Sequence, residues 1–265
     1  MSIIPKSFKN AVVPIGIKRE NGSVVWVGSG FFLTREISEG KSVPFLVTNK
    51  HVFEGKQSVA VSMKEKGSEA MKLADADLIM DGVIQYKLHP NPKVDVAVLR
   101  LSAEFIINNN LEFPAFDIDE NAMTSQELRD HGVDDGSLVH MLGFTLGLVN
   151  ETSHYPICRL GCIARMSEAQ IQEDYNILVD IQNFPGNSGS PVILRPDALA
   201  IEGTENLMRS VLVGIVHSYI PYEDQLKSMA TGRIVEVRSE NSGIAKAHPV
   251  EFIREIVDSF LPKKE

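Results

Sequence analysis

The sequence predicts an all-β protein made of two β-barrels with a helix at its C-terminal end. Short apolar, β-branched runs recur along the chain, clusters of Gly, Pro, Asn and Asp separate them, and a polar connector divides them into two sets. We therefore expect a first barrel within residues 1–118, a connector over residues 119–135, and a second barrel with the helix within residues 136–265.

The predicted strands follow one another at the short intervals that are typical of sandwiches and barrels. The first set comprises Ala11–Ile17, Val24–Val27, Phe31–Thr34, Phe45–Thr48, Ser58–Ser62, Val83–Lys87 and Ala97–Leu101. The second set comprises Leu138–Leu142, Pro156–Ala164, Ile177–Ile181, Val192–Leu194, Ser210–Val216 and Gly232–Val237.

Helical signals are sparse and lie at two places. Thr124 and Glu127 have the spacing of a capping box, which predicts a short helix in the connector. Near the end of the chain, Pro249 suits the first position of a helix, and apolar residues then recur at helical spacing: Val250, Ile253, Ile256, Val257, Phe260 and Leu261. We expect this last helix to pack on a barrel.

The composition argues against several classes of partner. The 265 residues are 43% hydrophobic and 23% charged, which is ordinary for a folded enzyme, and 26 basic against 35 acidic residues give a net charge of −9. The chain has no cluster of Lys and Arg to bind nucleic acid or an anionic membrane, and no apolar run long enough to span a membrane. The first ten residues lack the features of a signal peptide, so we expect a cytoplasmic location.

The two cysteines, Cys158 and Cys162, are expected to be free thiols that serve mostly in core packing. On one strand their Cα atoms would lie about 13 Å apart, too far for a disulfide, although a turn at Gly161 could bring them nearer. The surroundings offer no further zinc ligands, so we expect no metal site here. Free thiols agree with a reducing compartment.

The segment Phe184–Pro191 places Ser188 among two glycines and two prolines, which disfavours a helix or a strand. Such a segment can be a surface turn, because Gly, Pro, Asn and Ser are the commonest turn residues. It can also present a nucleophile, since glycines let backbone N–H groups approach a bound carbonyl. A serine nucleophile needs a base to take its proton, so the rest of the chain must supply a histidine and a carboxylate.

Two apolar runs carry polar residues of the required types. His51 ends the run that begins at Phe45, and Asp95 lies within the strand-like segment Val94–Leu101. Each residue alone has an ordinary structural explanation, as a histidine at a strand end or a carboxylate in a cap or ion pair. Their joint occurrence with Ser188, in the order His, Asp, Ser, favours a catalytic triad.

These three segments resemble the motifs of chymotrypsin-like serine peptidases. Thr48–Val52 is similar to the family's T-A-A-H motif, Asp95–Leu99 to D-I-A-L-L, and Gly186–Val192 to G-D-S-G-G-P. The closer resemblance is to bacterial trypsin-like peptidases of the HtrA and glutamyl endopeptidase type, where G-N-S-G-G-P and G-N-S-G-S-P-V occur. The resemblance extends from Gly28 to the C-terminal helix, which is most of the chain.

The resemblance implies two six-stranded antiparallel barrels with the active site in the cleft between them. The first barrel would supply His51 as the base and Asp95 as its partner, and the second would supply the nucleophile Ser188. The backbone N–H groups of Gly186 and Ser188 would form the oxyanion hole. The expected activity is that of a serine endopeptidase with a polypeptide substrate and with no metal or organic cofactor, and a regulatory partner is left open.

One departure from the digestive proteases concerns activation. Asn187 stands before the nucleophile where those enzymes have an aspartate, and no I-V-G-G activation site is recognisable. The usual ion pair between that aspartate and a newly cleaved N-terminus is therefore not possible. We expect activity that does not depend on maturation of this kind.

Substrate specificity is predicted from two further segments. Gln182, six residues before the nucleophile, corresponds to the floor of the family's primary pocket, and it argues against a preference for Lys or Arg. The strand Val213–Tyr219 resembles the pocket wall, G-I-V-S-W-G, and makes His217 and Tyr219 candidate substrate contacts. Glutamyl endopeptidases carry a pocket histidine one place earlier, at Val216 here, so a structural hydrogen bond near the catalytic aspartate is the favoured role of His217.

Other functions share the same residues. The domain could be a catalytically silent interaction module, a latent protease activated by a partner, or an esterase that uses the same triad. The complete set of His51, Asp95, Ser188 and Gly186 favours the enzyme, because degenerate copies usually lose one member.

Overall fold

The computed structural model describes residues 3–150, 155–196 and 207–261. Its first sheet has eight strands. These are β1 (Val12–Lys18), β2 (Val24–Ser38), β3 (Lys41–Thr48), β4 (Ser58–Lys64), β5 (Met71–Asp77), β8 (Tyr86–Leu88), β9 (Ala97–Arg100) and β10 (Phe116–Asp117). Seven of them are hydrogen-bonded in the order β5-β4-β1-β2-β3-β9-β8, while β10 pairs in parallel with β2. A separate small hairpin joins β6 (Ile79–Met80) to β7 (Val83–Ile84).

The second sheet is a closed barrel of six antiparallel strands. Its members are β11 (Leu138–Gly143), β12 (Ile157–Arg165), β13 (Ile177–Asp180), β14 (Pro191–Leu194), β15 (Leu212–Lys227) and β16 (Ile234–Pro249). They close in the order β11-β12-β13-β16-β15-β14. Beyond the barrel, β15 and β16 continue as a ribbon that is exposed on both faces over residues 221–227 and 234–240.

Helices occupy the ends, the connector and a few loops. They are α1 (Lys6–Ala11), α2 (Lys50–Phe53), α3 (Ala103–Asn108), α4 (Ser125–Asp130), α5 (Glu168–Asp174), α6 (Val250–Ser259) and a 3₁₀ turn at Thr145–Gly147. The capping box is confirmed: the Thr124 hydroxyl accepts from the Glu127 N–H, and the Glu127 carboxylate accepts from the Thr124 N–H. Pro249 is the N-cap of α6 rather than its first helical residue. Among the described residues, no helix has the length and apolar character needed to cross a membrane.

The hydrophobic core explains how α6 is held. Its apolar face, formed by Val250, Ile253, Ile256 and Val257, is buried in one continuous cluster with the interior of the closed barrel. The same cluster includes residues of the first sheet such as Phe31. Burial of such side chains contributes about 1.5–3 kcal/mol each, so the helix joins the two sheets by packing rather than by its intrinsic propensity.

The fold class is confirmed as all-β with a six-stranded closed barrel and a C-terminal helix. The first sheet differs from the expected six strands because β5, which was not predicted, and the short β10 add to it. In β5 the buried positions are only Ala74 and Ala76, so the apolar alternation was too weak to recognise. The runs Val24–Val27 and Phe31–Thr34, predicted as two strands, form the single strand β2.

The cysteines are free thiols, as expected, and both lie on β12. Their predicted core packing is wrong, because Cys158 is exposed and Cys162 is only partly buried. Alternate positions of β12 face solvent, and Cys158 occupies one of them.

Candidate active site

His51 lies in the short helix α2 and is paired with Asp95 from the loop before β9. Its Nδ1–H donates to Asp95 Oδ2 at 2.6 Å, and its backbone N–H donates to Asp95 Oδ1 at 3.1 Å. Both carboxylate oxygens are therefore engaged by the same residue. The side chain of His51 is still 46% exposed, so its second ring nitrogen is within reach of a bound substrate.

The backbone of Asp95 is held from both sides. The buried Asn49 donates from Nδ2 to the Asp95 carbonyl at 2.7 Å, and the Asp95 N–H donates to His248 Nε2 at 2.9 Å. Burial opposes ionisation of Asp95, but the hydrogen bonds and charge of His51 outweigh it and hold the pKa of the carboxyl below its ordinary value. The pair therefore favours a carboxylate that orients the imidazole.

His248 was not among the candidate residues that the sequence motifs indicated. It is fully buried, and because Nε2 accepts from Asp95, its proton lies on Nδ1, which donates to the Tyr175 carbonyl at 2.6 Å. Burial lowers the pKa of His248, which keeps the ring neutral. No local pattern in the sequence indicates this role, since it depends on β16 passing beside the Asp95 loop.

His217 stacks on His248 with the ring centroids 4.0 Å apart and the planes 9° from parallel. Its Nε2–H donates to Asn176 Oδ1 at 2.6 Å, while the Asn176 amide N–H donates to the Asp174 carbonyl and so fixes the orientation of the amide. Burial, with a smaller contribution from His248, lowers the pKa of His217 to about 3. The structural hydrogen bond expected for His217 is thus made to Asn176.

The neutral His217 predicts a pH dependence of stability. Because its pKa is about 3 in the folded protein and about 6.5 in an unfolded chain, the unfolded state binds more protons between these values. The free energy of unfolding should therefore fall as the pH drops from about 6.5 toward 3. Denaturant unfolding of His217→Gln should give a shallower fall in this window, without abolishing it, since the pKa of His248 is lowered as well. An unchanged slope in the variant would contradict this assignment.

Ser188 lies in the loop between β13 and β14, which is bonded directly to the first sheet. The Ser188 carbonyl accepts from the Ser29 N–H at 2.8 Å, and the Ser29 hydroxyl donates to the Gly186 carbonyl at 2.8 Å. Ser29 is buried in β2, and its hydroxyl also accepts from the Phe144 N–H. A single serine of the first sheet thus holds the loop at both ends of the Gly186–Ser188 segment.

The loops that carry His51 and Ser188 meet at Gly28 of β2. A Cβ atom at Gly28 would lie 2.9 Å from the Val52 side chain and 3.1 Å from the Ser188 carbonyl oxygen, so only glycine allows this approach. No hydrogen bond is present between these two described residues, His51 and Ser188. Catalytic hydrogen bonds are often long without substrate and tighten when it binds.

Replacing Gly189 by alanine should have a large effect on the free energy of unfolding. Its φ is +90°, and a Cβ atom there would overlap the Ser29 carbonyl oxygen and the Thr48 hydroxyl. We expect Gly189→Ala to lower the free energy of unfolding by more than about 4 kcal/mol or to prevent folding. Gly40 is the matched control, because its φ of +71° is similar but its surroundings are open, so Gly40→Ala should cost only about 1 kcal/mol. Equal losses in chemical unfolding of the two variants would contradict the steric explanation.

The segment from Pro185 to Ser188 leaves two N–H groups unused. Gly186 has a φ of +95°, and the Pro185 carbonyl accepts from the Leu146 N–H at 2.7 Å, which turns that carbonyl toward the 3₁₀ turn. Within the described ranges, the N–H groups of Gly186 and Ser188 donate to no protein acceptor. Two such donors, two residues apart in the chain, can bind the oxyanion of a tetrahedral intermediate.

Asn187 is buried, and its Oδ1 accepts from the Thr145 hydroxyl at 2.8 Å. An aspartate here would need a cation, whereas the amide oxygen of Asn187 accepts from a neutral hydroxyl of the same chain. The loop is therefore held without an ion pair to a chain terminus.

A pocket of about 280 Å³ opens beside Ser188. It is lined by Asn183, Phe184, Pro185, Ser188, His217, Ser218 and Tyr219. The predicted contacts His217 and Tyr219 are thus brought to Ser188, but Gln182 is not among the lining residues. Gln182 is exposed and lies beside Gly243, whereas its neighbour Asn183 is buried and lines the pocket.

Two comparisons with known proteins bear on the chain. A family model described as a trypsin-like peptidase domain matches residues 28–201, which is more than half of the 265 residues. No curated protein matches the sequence. Within the described ranges, no group of three or more His, Cys, Asp or Glu side chains is placed to hold a metal ion.

Proposed function

Because the chain belongs to the trypsin-like peptidase family, we propose that it is a serine endopeptidase that cleaves polypeptides through an acyl-enzyme. Ser188 is the nucleophile, His51 the general base and Asp95 the group that orients and stabilises the imidazole. The observation that carries this proposal is the engagement of both Asp95 oxygens by His51, which leaves Nε2 of an exposed imidazole free to accept a proton.

The first half of the reaction forms the acyl-enzyme. Ser188 Oγ attacks the peptide carbonyl carbon as its proton passes to His51 Nε2, and Asp95 stabilises the resulting imidazolium. The negative charge on the former carbonyl oxygen is held by the N–H groups of Gly186 and Ser188, a contribution of about 3 kcal/mol per donor. The C–N bond then breaks as His51 returns the proton to the leaving amine, and the acyl group remains as an ester of Ser188.

The second half repeats these steps with water. His51 Nε2 takes a proton from the water as its oxygen attacks the ester, and the same two N–H groups bind the second oxyanion. Return of the proton to Ser188 Oγ releases the carboxylic acid product and restores the enzyme. Every proton is passed through one imidazole, so the proposal needs no metal or organic cofactor.

We propose that the chain is of the HtrA and glutamyl endopeptidase type. We also propose that it divides into residues 1–118, 119–135 and 136–265. This division is supported by the positions of β1–β10 before the connector, α4 within it, and β11–β16 with α6 after it. The neutral partner of Asn187 supports activity without a cleaved N-terminus. The two free thiols favour a reducing compartment such as the cytoplasm.

Digestion of an unfolded protein tests this function. Incubation with a reduced and carboxymethylated protein should generate new internal N-termini, identified by mass spectrometry. Hydrolysis of small esters without any new N-termini would favour an esterase, and tight binding without turnover would favour an interaction module. Activity that appears only with a partner protein would identify a latent protease.

A further inference from the structure

We propose that the pocket beside Ser188 selects a neutral carboxamide side chain, glutamine or asparagine, on the residue that precedes the cleaved bond. This inference rests on the proposed function and adds the substrate class to it. Asn183 Oδ1 is the specificity-determining atom, and Ser218 supports it.

The orientation of Asn183 follows from its other contacts. Its Nδ2 donates to the Ser218 carbonyl at 2.9 Å, and its backbone carbonyl accepts from Asn241 Nδ2. An amide that donates on one side must present its oxygen on the other, so Oδ1 is the free end. The side chain cannot be reversed without placing two oxygens against each other at Ser218.

Asn183 Oδ1 is a buried acceptor that lacks a protein partner. The residue is only 4% exposed, and no donor of the described chain reaches this oxygen. An unsatisfied buried acceptor costs about 1–3 kcal/mol, so a ligand that donates a hydrogen bond here gains by relieving it. Because the residue lines the pocket next to the nucleophile, the ligand is the substrate side chain held there.

Ser218 offers the complementary group. It also lines the pocket, and within the described part of the chain its hydroxyl makes no hydrogen bond. A carboxamide can donate its N–H to Asn183 Oδ1 and accept from this hydroxyl at the same time. A carboxylate accepts but has no N–H, so at Asn183 it would set oxygen against oxygen.

Charge disfavours the ionised side chains. The lining residues include no carboxylate, guanidinium or ammonium group, and His217 is neutral with a pKa of about 3. A Lys or Arg side chain would lose hydration without gaining a counter-charge, and the same holds for Glu and Asp. The neutral His217 removes the cation that an acidic preference would require.

The test compares peptides that differ only in the residue before the cleaved bond: Gln, Asn, Glu, Asp, Lys, Arg, Met or Leu. The enzyme is first titrated with a fluorophosphonate, which measures the reactivity of Ser188 independently of the peptide residue that precedes the cleaved bond. We expect kcat/KM for Gln or Asn to exceed that for Glu, Asp and Met by at least about 100-fold, because a site built for a hydrogen bond rejects analogues that lack it.

Substitutions test whether the Asn183 side chain causes the preference for Gln or Asn. Asn183→Leu should reduce the ratio of Gln to Met to below about tenfold, and Ser218→Ala should reduce it to a smaller extent. Gln182→Ala should keep the wild-type ratio, since Gln182 lies outside the pocket. If Asn183→Leu does not fold, the inference is tested by the kcat/KM values of the wild type for these peptides, together with those of Ser218→Ala.

The outcomes separate this inference from the proposed function. A titrated enzyme that prefers Glu, Lys, Arg or an apolar residue, or that cleaves none of the carboxamide peptides, overturns the carboxamide pocket while leaving the nucleophile intact. An enzyme that reacts with no fluorophosphonate and cleaves no peptide overturns the proposed function itself. If Gln182→Ala loses the preference for Gln or Asn, then Gln182 rather than Asn183 determines the specificity, and the inference is overturned.

Discussion

Ser188→Ala is expected to lower kcat by about 10⁶-fold with little change in KM. The substitution removes the nucleophile, and a triad without it retains only the contribution of substrate binding and the oxyanion donors. The pocket stays in place because the backbone carbonyl of residue 188, not its hydroxyl, bonds to Ser29. Single-turnover and steady-state kinetics on a peptide cleaved by the wild type measure the effect.

Ser190→Ala is the matched control for this result. Ser190 is two residues away in the same loop, is fully buried, and has no protein hydrogen-bond partner for its hydroxyl among the described residues. We expect its replacement to change kcat by less than about tenfold. Equal losses in both variants would mean that the loop, rather than the Ser188 hydroxyl, is responsible.

Asp95→Asn is expected to lower kcat by about 10⁴-fold at neutral pH. The carboxylate accepts from His51 Nδ1–H and from the His51 N–H, so an amide with only one oxygen must present a donor to one of them. The imidazole then loses either its orientation or the tautomer that leaves Nε2 free. Asp77→Asn on the exposed face of β5 is the control and should leave kcat unchanged.

The same substitution changes the pH dependence of stability. The pKa of Asp95 is lowered on folding, so the ionised carboxyl stabilises the protein above its unfolded pKa of about 4, and this stabilisation is lost as the pH falls through the folded value. The difference in unfolding free energy between wild type and Asp95→Asn should therefore shrink below about pH 4. A constant difference from pH 7 to pH 3 would contradict the lowered pKa.

The candidate triad could be read from the sequence because each member stands in a short segment with its own pattern. His51, Asp95 and Ser188 are each flanked by residues that indicate where a strand ends or a loop begins. The positioning residues have no such local signal. Asn49 and His248 reach Asp95 only because strands that are distant in sequence bring them to opposite sides of its backbone.

The residue that lines the pocket lies one position away from the one that the sequence predicts. Neighbouring residues of an extended segment face opposite sides, so a shift of one position exchanges the buried and exposed sets. Gln182 and Asn183 are adjacent. The sequence predicts Gln182 as a pocket residue, whereas in the structure Asn183 lines the pocket and Gln182 is exposed. The part of β15 beyond Val216 was missed because both faces of the ribbon are exposed there, and the predicted strand Gly232–Val237 covers only the first part of β16.

The most direct test of the active site is the intact mass of the protein after reaction with a fluorophosphonate. Ser188 Oγ should displace fluoride and gain one phosphonyl group, located at Ser188 by peptide mapping. The adduct should be absent in Ser188→Ala and should form far more slowly in Asp95→Asn than in the wild type. An unmodified wild-type protein, or an adduct at another residue, would contradict the assignment of Ser188 as the nucleophile.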